Sequence, residues 1–329
     1  MSSMDRSSLG WILLSALVVG CGGSDGPADA GAMDASDGST PVVVPALQVG
    51  LPDAVDPAGI DPVSASPAAT ACVGIATAPV GGDPVDFNLV ITEFRDDTPT
   101  EGLCVKFFAD NAPTVDACDP ATNPSTDFLT DATGAIAVSS LAGAWYSYRV
   151  FPQPGPTPSL QIVGSIQVNE PAPSTSGANA PGNSVSKSTL NLIPTVLGFP
   201  QAPGTALIAG TVEDCDGSSV FGATTRVFLE DGTLVTEGEA AGAPHYRFFD
   251  GEDFPRAEQQ WTHTDGLYAV ANVPVPSEGV RALIGVYGKL SADAEPTLVG
   301  CEEARLFADT VTIANVGPLR ADGPTCPAF

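Results

Sequence analysis

Histidine is almost missing from this chain: His245 and His263 are the only two in 329 residues. Neither stands in an HExxH pattern or at a spacing that chelates a metal by itself, so no zinc-peptidase motif is present. No GxSxG occurs, which removes the usual turn that presents a hydrolase serine. No CxxC occurs among the seven cysteines, which argues against both a thioredoxin-like redox pair and a zinc ribbon. Cations are also scarce, with 12 Lys and Arg against 39 Asp and Glu, a formal charge of −27. That balance argues against nucleic acid and against direct electrostatic docking on anionic lipid. Aromatic residues make up 7%. Beyond Val19 no apolar run reaches the roughly 20 residues a transmembrane helix needs.

What the chain does have begins with its first residues. Arg6 precedes the apolar run Leu9–Val19, which is short for a membrane span and suits the core of a signal peptide, about 7–15 residues long. Val18-Val19-Gly20-Cys21 then resembles the lipobox of bacterial lipoproteins, with Val18 where leucine is commoner. The resemblance implies cleavage before Cys21, acylation of its thiol and amine, and a lipid-anchored protein outside the cytoplasm. The alternative is an ordinary secretory signal cut near Gly22–Ser24. Gly22 is not the aspartate that retains some lipoproteins on the inner membrane, which favours the outer membrane.

Glycine (35) and proline (31) are abundant, as in β-sheet domains with many turns. Residues 21–70 are small, acidic and Gly/Ala/Pro-rich, so they read as a flexible tether with a few apolar positions able to dock. The remainder repeats itself. Phe87–Phe94 and Glu101–Phe108 correspond to Ala206–Asp214 and Phe221–Leu229. Thr130–Val138 corresponds to Thr264–Val270, Arg149–Phe151 to Gly285–Tyr287, Ile162–Gly164 to Leu298–Gly300, and Thr189–Pro194 to Thr312–Pro318. A duplication follows, with domains at 71–199 and 200–329 and a boundary near Gly198–Thr205. It makes the low-complexity stretch Asn169–Ser184 a long loop inside the first domain, before a strand at Ser186–Ile193. Alternating apolar and polar residues bounded by Gly, Asp and Pro indicate all-β, antiparallel sandwiches.

Gly210-Thr211-Val212-Glu213-Asp214, Phe221-Gly222-Ala223 and Thr264-Asp265-Gly266-Leu267-Tyr268 resemble carboxypeptidase regulatory-like domains. The resemblance covers 206–320 and, more weakly, 73–195, where Leu103 replaces an alanine and Ile136 the tyrosine. It implies a transthyretin-like (prealbumin-like) sandwich of about seven strands, with no catalytic residues to carry over. Gly102 and Gly222 suit a tight bend, Asp131 and Asp265 suit turn capping, and either Leu267 or Tyr268 faces the core.

Four sets of residues remain as candidates. Cys72, Cys104, Cys118, Cys215, Cys301 and Cys326 form an even set in an exported chain, which favours disulfides over free buried thiols. The expected pairs are Cys104–Cys118, Cys215–Cys301 and Cys72–Cys326. The two histidines are expected to be exposed and non-catalytic. Glu213-Asp214-Cys215-Asp216-Gly217, Glu230-Asp231-Gly232 and Asp250-Gly251-Glu252-Asp253 offer oxygen ligands of the kind Ca²⁺ takes, or are simple solvated turns; no other cofactor is indicated. The insertion Thr236–Gln260 with Trp261 supplies Tyr246, Phe248 and Phe249. These are a platform for a sugar or a protein partner, or else a small core beneath the loop.

The sequence thus predicts a non-catalytic, lipid-anchored envelope protein with a binding or structural role, partnered by the membrane and by an envelope protein or glycan. Carbohydrate or peptide recognition through residues 236–261 is the alternative, and an unrecognised hydrolase the second alternative.

Overall fold

The computed structural model describes residues 45–49, 66–191, 199–251 and 254–328; the expected leader, Cys21 and the rest of the tether lie outside the described residues. The protein is nearly all β, 45% strand and 3% helix.

Two short strands, β1 (Gln48–Val49) and β2 (Ser66–Pro67), come first. The first half follows with β3 (Pro84–Glu93), β4 (Cys104–Phe108), β5 (Asp127–Leu129), β6 (Ala135–Leu141), β7 (Trp145–Val150), β8 (Ile162–Pro171) and β9 (Asn179–Ser186). Alternation builds it: Val85, Phe87, Leu89 and Ile91 of β3 are buried while Asp86 and Asn88 face out. Sheet β6-β3-β9 packs on β5-β4-β7-β8, and Phe87, Phe107 and Tyr146 meet between them with ring centroids 5.1–6.1 Å apart.

The second half has β10 (Thr205–Thr211), β11 (Thr224–Leu229), β12 (His245–Phe249), β13 (Pro255–Arg256), β14 (Leu267–Pro274), β15 (Val280–Gly288), β16 (Thr297–Leu306) and β17 (Thr310–Ala314). Its sheets are β13-β12-β14-β10-β17 and β11-β15-β16. Strands β3, β4, β6, β7, β8 and β9 therefore recur as β10, β11, β14, β15, β16 and β17. The insertion adds β12 and β13 to the edge beside β14.

The sheets are mixed, not antiparallel as expected. The last strand of each half crosses over and lies parallel to the first, β9 on β3 and β17 on β10. The supposed long loop at 169–184 is also corrected. Strand β8 runs to Pro171, β9 occupies Asn179–Ser186, and 187–191 is helical where a strand was expected. Strand β9 escapes hydrophobic patterning because its inward positions are Ala180, Gly182 and Ser184. At Gly182 a Cβ would lie 2.6 Å from Ile91 Cδ1, so only glycine lets β9 approach the core this closely.

Strand β17 also pairs in parallel with β8, from Thr310↔Gly164 to Ala314↔Val168, and so fuses the halves into a nine-stranded path, β13-β12-β14-β10-β17-β8-β7-β4-β5. Strand β8 serves both cores. Ile166 and Val168 pack in the second half's cluster, while Gln167 accepts a 2.5 Å hydrogen bond from Tyr148 in the first. The described residues belong to one compact unit.

Part of the expected tether is docked, and on the second half. Leu47 is buried in its core, with its N–H on the Lys289 carbonyl (2.9 Å), and Ala69 N–H binds the Asp214 carboxylate (2.8 Å). Residues 74–78 continue along the tail: Gly74 N–H binds Leu319 O (2.7 Å) and Ala321 N–H binds Ala76 O (2.8 Å). This routing corrects two of the three expected disulfides. The pairs are Cys72–Cys215, Cys104–Cys118 and Cys301–Cys326, with Cα–Cα distances of 5.8, 6.0 and 5.8 Å.

Candidate functional sites

The repeated motif residues converge on one bonding unit in each half. Thr130 Oγ1 accepts Leu103 N–H (2.8 Å) and donates to Thr100 O (2.7 Å). Thr262 Oγ1 accepts Ala223 N–H (3.0 Å) and donates to Val220 O (2.6 Å). Their backbones repeat the match, with Gly102 N–H on Thr130 O and Gly222 N–H on Thr262 O, both 2.9 Å. Each threonine thus ties its own turn to the bend before β4 or β11. The true counterpart of Thr130 is therefore Thr262, not Thr264, and that of Asp131 is His263, not Asp265.

Four residues after each threonine, Gly134 and Gly266 hold φ of +75° and +63°; a Cβ would lie 2.3 Å from Ile91 O or 2.6 Å from Val212 O. No side chain fits there. Asp131 caps its turn as expected, accepting N–H bonds from Thr133 (2.8 Å) and Ala135 (3.0 Å). Hydrogen bonds from Thr133 and Ala135 hold its carboxyl below the usual range.

Tyr268, not Leu267, enters the core, and its hydroxyl donates to Ala314 O at 2.6 Å. It sits opposite Gly210, whereas the first half places Ile136 opposite Leu89. A small–large pair is exchanged for two medium side chains. That explains how Ile136 replaces the tyrosine without a void.

Both histidines are buried, at 7% and 1% exposure, contrary to expectation. His245 stacks on Phe199 with centroids 4.0 Å apart and lies 3.5 Å from Glu237; His263 packs edge-on against Phe221 and meets Thr264 Oγ1 at 3.2 Å. The imidazole body is apolar enough to fill a core, and at His245 the ring is held by stacking and by Nδ1 while Nε2 is buried without a hydrogen-bond partner.

The acidic turns use their carboxylates on the backbone. Asp214 accepts Asp216 and Ser218 N–H groups (2.9 and 3.0 Å), Asp231 accepts Thr233 N–H (2.9 Å), and Asp250 accepts Phe254 N–H (2.9 Å) and pairs with Arg256 (2.5 Å). Among the described residues no group of three His, Cys, Asp or Glu is placed to hold a metal ion.

The aromatics of the insertion do not stand together on a loop. Phe248 is buried in the second core and Tyr246 packs against it, its hydroxyl donating to Val235 O (2.6 Å) and accepting Val227 N–H (3.1 Å). Phe249 packs on the smaller cluster with Phe199 and Leu207, and Trp261 is half-buried.

Ionisable groups are buried at three places that no sequence motif marks. Burial raises the Glu93 carboxyl, but hydrogen bonds from Thr189, Arg95 and Ser186 outweigh it and hold it below the ordinary range. Lys106 pairs with Asp127 at 3.3 Å; burial raises Asp127, and Asp119 N–H, Thr126 and Lys106 bring it below the usual value. At the seam, Arg320 pairs with Glu302 and lies 4.1 Å over the Trp145 ring of the first half. Burial pushes Glu302 up to about 7 despite Arg320. Glu302 holds the register position that Gln167 holds in the first half. An acidic residue inside a strand was the one available signal for Glu93 and Glu302.

An open cleft of about 1020 Å³ lies where the halves meet, lined by Pro152, Pro154, Pro200 and Pro203 with Lys187 and Asp309. Among the described residues no helix is long and apolar enough to cross a membrane.

No family model matches the chain, and no curated protein matches it. Similar solved structures include the minor pilin GBS52 of Streptococcus agalactiae, at 10% identity over 74% of this chain and 100% of that one, with a TM-score of 0.22. The shaft pilin SpaA of Lactobacillus rhamnosus GG matches at 10% identity over 74% and 100%, TM-score 0.20. A streptococcal ancillary pilin matches at 13% over 71% and 62%, TM-score 0.20. Likeness at this level carries no argument about what the chain does.

Proposed function

We propose that this chain is a non-catalytic cell-envelope protein, anchored by lipid on Cys21, whose two β-sandwich modules of the carboxypeptidase regulatory-like kind serve binding or structural support. One observation carries the reading. The motif residues that could have formed a site, Thr130, Asp131, Thr262, Asp214 and Tyr268, have their polar atoms bonded to the protein's own backbone. Residues so bound hold turns in place and are not free to act on a substrate. A nine-stranded sheet running through both halves suits a rigid support better than a hinged enzyme.

The anchor is tested with Cys21→Ser. Globomycin-sensitive processing and fatty-acid labelling should both disappear, and persistence of both in the variant overturns the lipid anchor. Steady turnover by the purified protein on a panel of esters, peptides and glycosides would overturn the non-catalytic reading.

A further inference from the structure

Sheet edges are sites where another chain can add a strand, and most edges here are closed or very short. The nine-stranded path ends in β13 and β5, with two and three residues. Beside β11, Val235 N–H binds Val227 O (2.9 Å); beside β16, Leu319 N–H binds Val299 O (2.6 Å). Among the described residues, β6 is the long edge left open: it pairs with β3 alone.

The register shows which groups it presents. Asp86 and Asn88 of β3 direct their backbone groups to the β9 side, through Gly177 N–H to Asp86 O (2.7 Å) and Asn88 N–H to Ala178 O (3.0 Å). Their antiparallel partners on β6, Ser139 and Ala137, therefore point their N–H and C=O away from β3, into solvent. Asp131 closes one end by bonding Ala135, and the Leu141 carbonyl accepts Ala144 N–H (3.0 Å) at the other. The open template runs from Ala137 to the Leu141 N–H.

Nothing guards it. Ala135-Ile136-Ala137-Val138-Ser139-Ser140-Leu141 has no lysine, proline or other charge, the devices that usually protect an edge. Leu141 is 46% exposed, and Val80, next to the Gly81 that packs on Leu141, is 91% exposed. Along β3, β6 and β9 the charge has one sign. Asp83, Asp86 and Asp131 are exposed, and β3, β6 and β9 contain no Lys or Arg. A second copy, itself at −27, would add carboxylates to carboxylates.

We propose that the β6 edge takes up an extended segment of a partner protein as an added strand, one in which basic residues alternate with apolar ones. The apolar side chains extend the layer of Ile136 and Val138, and the basic ones meet Asp86 on the outer face. The proposal is independent of the lipid anchor, so the Cys21 experiment and this one fail separately.

The test uses the full exported chain and two fluorescent synthetic peptides, one alternating lysine with valine and one alternating glutamate with valine. The lysine peptide should bind, slow amide exchange at Ala137 and Ser139, and lose about tenfold or more in affinity with Ser139→Pro, which removes an outward N–H. Ala137→Lys, a change at an exposed position, should weaken binding similarly and serves if the proline variant fails to fold. The glutamate peptide should not bind. Absence of binding, equal binding to wild type and both variants, or self-association of the wild type through the same amides would overturn the proposal.

Discussion

Replacing Cys72 and Cys215 together by serine should cost more stability than removing either other disulfide. The bridges Cys72–Cys215, Cys301–Cys326 and Cys104–Cys118 span 143, 25 and 14 residues. If cross-links act mainly on the entropy of the unfolded chain, their contributions are about 5, 3.5 and 3 kcal/mol in that order. The first also holds residues 66–78 against the second half, where Leu47, Ala69 and Gly74 make their backbone bonds. Urea unfolding of the three double-serine variants, at matched ionic strength and under non-reducing conditions, gives the ranking directly. The reasoning is refuted if the Cys104/Cys118 variant loses as much as the Cys72/Cys215 variant. It is also refuted if non-reducing peptide mapping of the wild type joins Cys215 to Cys301.

Two further outcomes follow from buried polar groups. Thr262→Val should lose roughly 2 kcal/mol or more, because Ala223 N–H and Val220 O are left buried without their partner, whereas Thr262→Ser should retain most of it; the same unfolding assay reads both. Glu302 keeps its proton up to about 7 in the fold and releases it near 4.5 when unfolded. Its share of stability is therefore complete below 4.5 and falls as pH rises through 7, a loss on the order of 3 kcal/mol. Glu302→Gln should flatten that fall, and an unchanged slope of stability between pH 5 and 8 would count against it.

The β-sandwich was legible because β3 and β6 bury alternate apolar side chains, and because Val150 and Val286 occupy matching registers in the two halves. Strand β9 was illegible for the opposite reason: its core-facing residues are too small to register as apolar, and Pro181 reads as a breaker although it pairs in register with Val90 of β3. The turn was misaligned because Thr-Asp occurs at 130 and again at 264, while the bonding is set by distance from the glycine, four residues back at Thr130 and Thr262. The disulfides depended on a contact that no local pattern encodes, the return of residues 66–78 to the far half. The histidines lie in segments that read as loops, and only the fold brings the rings of Phe199 and Phe221 over them.

The bond between Cys72 and Cys215 also decides where a pull would travel. Tension entering from the amino-terminal side and resisted by the second half crosses from sulfur to sulfur, and the intervening residues, the whole first sandwich among them, carry none of it. That sandwich stays fused to the second half through β17 on β8, beside the covalent line of load and not within it.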